Sequence, residues 1–294
     1  MQSLKVALVQ RSCSGSREEN ITACGEAVRR AATLGAKLVV LPELHNGGYF
    51  PQNEESSHFD RAEPIPGPST RFYSALAREW GVVLVTSLFE RRGAGLYHNT
   101  AVVFDCDGSM AGQYRKMHIP DDPGFYEKYY FTPGDLGFNP IETSVGTLGV
   151  LVCWDQWFPE AARLMTLAGA DLLIYPTAIG WYPLDPADEK ERQLNAWTTV
   201  QRGHAITNGI PVLAVNRVGY EADPANIGPG LQFWGNSFAA GCQGEILGQA
   251  GNDREELLTV EIDLRRSDAV RRIWPFLRDR RIDAYEELLK RYRD

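Results

Sequence analysis

The chain has no run approaching about 18 consecutive apolar residues, so no membrane-spanning helix is expected. It has no excess of positive charge either. Lys and Arg total 30 against 38 Asp and Glu, a formal net charge of −8. Nucleic acids and anionic membrane surfaces attract a basic face, so neither is expected as a partner. Cysteine is scarce and unpaired in pattern. Cys13, Cys24, Cys106, Cys153 and Cys242 are odd in number, far apart and contain no CxxC. That fits free thiols in a reducing cytoplasm better than a disulfide framework or a zinc site. No HExxH or other metal-ligand spacing occurs, so no metal is expected. "GNSFAAG" and "SCSGS" do not make GxSxG, and no phosphate-binding glycine loop is present; no cofactor is expected. The opening "MQSLKVALVQ" lacks a charged stretch ahead of a long apolar one, so no secretory leader is expected.

What is present is a globular mixture, 44% hydrophobic and 23% charged, able to bury a sizeable core. "LKVALVQ" (4–10) and "KLVVLPE" (37–43) read as buried strands on either side of a helix that Ser16 opens. A helix over 69–80 leads to the strands "VVLVTSLFE", "YHNTAVVFD" and "MAGQYRK", joined by tight turns. The hairpin "NPIETSVGTLGVLVC" precedes a helix over 159–168, the strand "DLLIYPT", a helix over 189–208 and the strand "PVLAVNR". Three further short strands and two arginine-rich helical pieces close the chain. Strands alternating with helices predict α/β, and the hairpins make the sheets mixed. With no linker or repeat, residues 1–294 read as one domain. Loops as long as 44–68 and 117–139 inside such a domain are usually functional.

Three reactive residues close three of these strands. Side chains alternate along a strand, which puts Glu43 in line with Val39 and Leu41, Lys116 with Tyr114, and Cys153 with Gly149 and Leu151. In open α/β sheets, sites gather outside the carboxyl ends of strands. Pro159 suits the first turn of a helix, so Cys153 should lie near a helix N-terminus that favours thiolate, and a lysine nearby would act the same way. Glu43 can accept the thiol proton. Lys116 and the backbone N–H of Trp154 can hold an oxyanion. His118 is the one candidate base for a rival Cys–His mechanism.

"LPE" (41–43), "YRKMHIP" (114–120) and "VCWDQWFPEAAR" (152–163) resemble the three signature segments of the nitrilase superfamily of carbon–nitrogen hydrolases. The resemblance implies a four-layer α-β-β-α sandwich with two mixed β-sheets and a Glu-Lys-Cys triad on Glu43, Lys116 and Cys153. It also implies a second, supporting glutamate, which "GFYEKYYFTPGD" puts at Glu127. Family members build on a dimer, so a homo-oligomer is expected, with the C-terminal extension 264–294 and its Trp274, Pro275 and Phe276 at a subunit interface. "LLIYPTAIGW", "WGNSF" and "FLRDRRIDAY" are similar to the branch that hydrolyses N-carbamoylputrescine to putrescine, carbon dioxide and ammonia.

The far end of such a cationic ureido substrate is an ammonium, which wants a carboxylate or aromatic faces. Asp121, Asp122 and Asp185 are the candidate acids; "DDPG" also reads as a plain turn. Tyr49, Tyr130, Trp154 and Trp181 are candidate walls. A carbamoyl amino acid would instead need an arginine or histidine at that end, with Arg115 and Arg202 available. A binding protein with an idle thiol is the reading from a different class.

Overall fold

The structure, a computed structural model, describes residues 3–293. In chain order, β1 (Leu4–Gln10), α1 (Arg17–Thr33), β2 (Leu38–Val40), α2 (Pro68–Trp80), β3 (Val83–Gly93), β4 (Leu96–Phe104) and β5 (Met110–Arg115) form the first half. A single turn, α3 (Glu127–Tyr130), precedes β6 (Ile141–Thr143), β7 (Gly146–Val150), α4 (Pro159–Leu167), β8 (Leu172–Pro176), β9 (Gly180–Trp181) and α5 (Ala187–Asn208). Then come β10 (Val212–Val215), β11 (Val218–Glu221), β12 (Leu231–Trp234), β13 (Phe238–Ala240), β14 (Ile246–Gln249), β15 (Glu256–Ile262) and α6 (Arg265–Ile273).

Two six-stranded sheets run β15-β1-β2-β3-β4-β5 and β14-β13-β10-β8-β7-β6. Each has a parallel centre and antiparallel edges. Strand β1 shows why its apolar run is continuous. Val6 and Leu8 join the core between the sheets, while Ala7 and Val9 pack under Val28, Ala31, Tyr73 and Leu76 of α1 and α2. Both faces are buried, so no polar alternation is possible. On the outer face of the second sheet, Ala161 and Met165 of α4 and Trp197 and Ala205 of α5 join the same core. The result is the α-β-β-α sandwich.

Local chemistry fixes the helix ends. Ser16 and Glu19 make a reciprocal capping box at α1. Pro159 occupies the first turn of α4. Gly81 and Gly209 end α2 and α5 in the left-handed conformation.

Several expectations need correction. The strand read over 37–43 stops at Val40, because Pro42 has no N–H to extend the ladder, so Glu43 lies in a loop. The strand ending in Lys116 stops at Arg115, although the Lys116 N–H still donates to the Asn99 carbonyl (2.9 Å). The tail holds five strands after β10 rather than three. Four of them are only three or four residues long, too short for a periodic signal. Strand β15 returns to pair with β1, Leu4 opposite Ile262, a partnership set by the whole fold.

Candidate active site

The loops that leave β2, β5, β7, β8 and β10 meet outside the carboxyl ends of those strands. Glu43 is held by its backbone N–H donating to the Thr177 carbonyl (3.3 Å), just past β8. Leu44 follows in the left-handed region (φ 48°). Cys153 is itself left-handed (φ 43°) and opens a short 3-10 turn, Cys153–Trp157, before α4 begins. A non-glycine residue in that region costs about 1–3 kcal/mol, and such outliers persist only where the surroundings hold them. Asp155 holds this corner. Its fully buried carboxylate accepts from Val152 N (2.9 Å), Tyr114 OH (2.9 Å) and the backbone N–H of His118 (3.0 Å). The corner bearing Cys153 is thereby tied to the strand end bearing Lys116.

Glu43, Lys116 and Glu127 are wholly inaccessible to solvent. Lys116 Nζ donates to Glu43 Oε1 (2.8 Å) and to Glu127 Oε2 (2.6 Å). Asn99 Nδ2 also donates to Glu43 Oε1 (2.6 Å), and Tyr49 OH donates to Glu127 Oε1 (2.6 Å). Glu43 Oε2 has no partner among the described residues. A buried charge survives only when paired and hydrogen-bonded, which three of these four carboxylate oxygens are. The fourth is an open acceptor.

Burial by itself would lower the Lys116 ammonium, but Glu127 and Glu43 outweigh it and hold it above the ordinary lysine range. Burial raises the Cys153 thiol well above its usual value. Glu43 adds to the rise and Lys116 opposes it. The expectation of a thiolate favoured by a helix N-terminus is therefore corrected: desolvation wins, and the 3-10 turn separates Cys153 from α4. The thiol donates weakly toward the Ala178 carbonyl (3.8 Å).

Burial and the Glu43 charge push Glu127 up to about 7, against the pull of Lys116. The unfolded value is about 4.3, so the stabilisation from the folded-state proton is fully present below about pH 4.3 and lost as pH rises through about 7. Denaturant unfolding of the wild type and Glu127→Gln at several pH values measures this. The stability difference should move against the wild type by on the order of 2 kcal/mol between pH 5 and 8. A difference that stays constant over that range would mean Glu127 is ionised throughout.

Cys153 opens into a cavity of about 820 Å³, with Trp154, Trp157, Phe125, Tyr182 and Trp234 among its walls. Asp122, Asp185 and Glu189 bring three carboxylates to it. A second cavity, of about 890 Å³, is lined by Leu44 and Tyr49 and does not border Cys153; the side chains of Glu43, Lys116 and Glu127 lie buried behind both linings. Asp122 both makes the turn, its carbonyl accepting from Phe125 N (2.8 Å), and lines the Cys153 cavity. Asp121 is exposed and outside that lining.

The proposed walls divide. Trp154 lines the Cys153 cavity; Tyr49, Tyr130 and Trp181 do not. Tyr49 is buried behind Glu127. The Tyr130 hydroxyl donates to the Asn53 carbonyl (2.6 Å) within an aromatic cluster around Phe50. The Trp181 indole N–H donates to the Lys190 carbonyl (2.9 Å), and its ring lies behind Trp234.

His118 does not line the Cys153 cavity. Its Nδ1 is 2.7 Å from Asp155 Oδ1, and its ring stacks on Phe158. Arg115 is held by Glu90 and Asp135, and Arg202 donates to the Gly244 carbonyl (2.7 Å); neither lines the cavity. Asn99, Trp157, Glu189 and Trp234 were not singled out in the sequence. Only Asn99 carries a signal there, an amide on β4 just before the run "TAVVF" (100–104).

A buried ammonium between two carboxylates, beside a strained cysteine corner on a four-layer sandwich, defines a class of thiol-bearing α/β hydrolase folds. The sequence matches the carbon-nitrogen hydrolase family over residues 5–272, and the chain belongs to that family. It is an enzyme of the nitrilase superfamily type. It is 42% identical over 286 residues to an N-carbamoylputrescine amidase of Solanum lycopersicum, covering 97% of this chain and 94% of that one. It is 40% identical over 294 residues to a citrullinase of Francisella tularensis subsp. tularensis, covering 99% and 100%. Its fold matches the crystal structure of a carbon-nitrogen hydrolase from Helicobacter pylori G27 with a TM-score of 0.97. The two are 55% identical, with 99% and 100% of the chains covered.

Proposed function

We propose that the enzyme hydrolyses N-carbamoylputrescine to putrescine, carbon dioxide and ammonia, with Cys153 as nucleophile, Glu43 as general base and acid, and Lys116 as electrostatic stabiliser. The observation that carries this reading is the unpartnered Glu43 Oε2 in a buried cluster with Lys116, electrostatically coupled to Cys153. Glu43 takes the thiol proton. Negative charge then moves from the carboxylate to sulfur while the Lys116 ammonium remains, so the cluster's net charge is unchanged and no new charge is buried. The sulfur attacks the ureido carbonyl carbon, and Lys116 Nζ with the Trp154 backbone N–H receives the oxyanion. Glu43 returns the proton to the leaving amine. Water, activated by the same carboxylate, cleaves the carbamoyl thioester to carbamate, which yields carbon dioxide and ammonia, and restores the thiol. Glu127, held by Tyr49, supports Lys116 from the other side.

The far end of the cavity suits a cation. Asp122, Asp185 and Glu189 face it, together with the rings of Tyr182, Trp157 and Trp234. Asp185→Asn and Glu189→Gln should each raise KM for N-carbamoylputrescine about 10-fold with little change in kcat, because a hydrogen bond to a charged group contributes about 1.5–3 kcal/mol. Unchanged KM in both would remove the ammonium assignment from Asp185 and Glu189 and leave it to Asp122.

Arg192 also lines the cavity, tied to Asp188 and Glu189, and the citrullinase relative supports a second reading in which the substrate is a carbamoyl amino acid. Turnover of N-carbamoylputrescine, citrulline and N-carbamoyl-β-alanine separates the two: the amine should have the highest kcat/KM, and a preference for either acid overturns the first reading.

Residues 1–294 work as one domain in this proposal, acting in the cytoplasm on the route that forms putrescine from arginine by way of agmatine. The extension 264–294 covers a second copy of the chain. It exposes Ile273, Trp274, Phe276, Leu288 and Leu289, apolar area that water disfavours. No helix among the described residues is long and apolar enough to cross a membrane.

A further inference from the structure

Both carboxylates of the cluster are anchored to one buried ion pair that does not border the Cys153 cavity. Arg217 lies between β10 and β11, completely enclosed. Its Nε and Nη2 donate to the Glu43 carbonyl (3.1 and 3.0 Å), and Nη2 also donates to the Leu44 carbonyl (2.6 Å). Its Nη1 donates to Glu221 Oε1 (2.9 Å) on β11. The other oxygen of that carboxylate, Glu221 Oε2, accepts from the backbone N–H of Tyr49 (2.6 Å). Tyr49 in turn holds Glu127 through its hydroxyl (2.6 Å). The guanidinium lies over the rings of Tyr49 and Phe233, at 5.8 and 5.7 Å from their centroids.

We propose that Arg217 and Glu221 are positioning residues that set Glu43 and Glu127 on opposite sides of Lys116, one through the backbone and the other through Tyr49. The proposal rests on the roles given above to Glu43, Lys116 and Glu127.

The physical need is specific. Glu43 lies three residues beyond the end of β2, where no strand partner fixes its carbonyl. Left-handed Leu44 directs two successive carbonyls at one guanidinium. Glu43 is then held at its N–H by the end of β8 and at its carbonyl by Arg217, so its side chain leaves the backbone in one direction. A planar guanidinium with five donors can bond two carbonyls and a carboxylate together. A lysine ammonium is a point charge on a flexible stem and cannot reproduce that fork. Glu221 spans its two neighbours with separate oxygens, so an amide at this position can accept on one side only.

The test uses the full chain with Glu221→Gln, Arg217→Lys and Tyr49→Phe, with Cys153→Ala as control. Two readouts are taken: kcat and KM for N-carbamoylputrescine, and the pH dependence of Cys153 alkylation by iodoacetamide, located by peptide mass. A displaced carboxylate is expected to lower kcat about 10- to 100-fold with KM within about 2-fold, since misplacement by about 1 Å can cost that much. The alkylation profile should shift along the pH axis. Glu221→Gln and Tyr49→Phe together should lose no more than the worse single variant, because they cut one chain of contacts. The proposal is overturned if the folded variants keep wild-type kcat and the wild-type alkylation profile, whatever their melting temperatures. Should Arg217→Lys and Glu221→Gln both fail to fold, Tyr49→Phe, which removes one oxygen, decides alone by the same criteria. Failure of the underlying reading looks different: Cys153→Ala would remain active.

Discussion

Cys153→Ala is expected to lower turnover of the ureido substrate by at least about 10⁴-fold, with KM and fold retained. Removal of a nucleophile from a concerted set of groups leaves only the binding and electrostatic contributions, and losses of about 10⁴ to 10⁶ in kcat are the usual result. The thiol is one buried atom at the rim of a cavity, so its loss should cost only about 1 kcal/mol of stability. The neighbouring Glu43, Lys116 and Glu127 keep their mutual hydrogen bonds, because the sulfur is not part of them. Circular dichroism and melting should therefore match the wild type while product formation disappears. The same variant decides against an idle thiol. Iodoacetamide should label Cys153 in the wild type, and substrate should protect it; Cys106, only half-buried, provides the internal reference for accessible thiol. Retained turnover in Cys153→Ala would remove the sulfur chemistry altogether.

Lys116→Met should be the second large effect, and it should appear in stability as well as rate. Loss of one oxyanion donor typically lowers kcat about 10²- to 10³-fold. Lys116 also opposes the rise of the Cys153 thiol, so the loss here should be at least about 10³-fold. Methionine fills the volume but leaves two wholly buried carboxylates without a cation. Breaking a buried ion pair from one side costs about 3–5 kcal/mol. The sign with pH follows. Without Lys116, the folded state holds carboxyl protons more tightly than the unfolded chain, so the deficit is smallest at low pH and grows as pH rises. Urea unfolding at pH 5 and pH 8 should show the larger deficit at pH 8. Equal deficits at both, with near-native kcat, would mean that Lys116 neither holds these carboxylates nor serves the reaction.

The sequence made these variants choosable because three kinds of information are local in it. Apolar runs on β1, β3, β8 and β10 mark strands buried on both faces. Ser16, Pro68, Pro159 and the glycines after α2 and α5 mark helix ends through the chemistry of the first and last turns. The order of the Glu43, Lys116 and Cys153 segments carries the likeness to the carbon-nitrogen hydrolases. Each signal depends on residues within a few positions of one another.

The rest depends on distant pairs. Tyr49 read as an aromatic wall, but its hydroxyl meets Glu127, 78 positions away, and it works behind the site. Arg217 read as the end of a strand, yet its partners are the Glu43 and Leu44 carbonyls, 174 and 173 positions away. His118 read as a possible base, but it lies outside the lining of the Cys153 cavity, with its ring stacked on Phe158. The thiol's environment also escaped the sequence: a helix start nearby implied a low value, and burial, reinforced by the Glu43 charge, reverses the sign. Short-range pattern thus marked the α/β class with mixed sheets, the helix ends and the candidate reactive groups. The three-dimensional packing alone decided which oxygen is free, which tyrosine backs which acid and which cavity the sulfur opens into. Hydrogen bonding and desolvation are set by what surrounds an atom in space, and in this chain those surroundings come from strand ends far apart in the sequence.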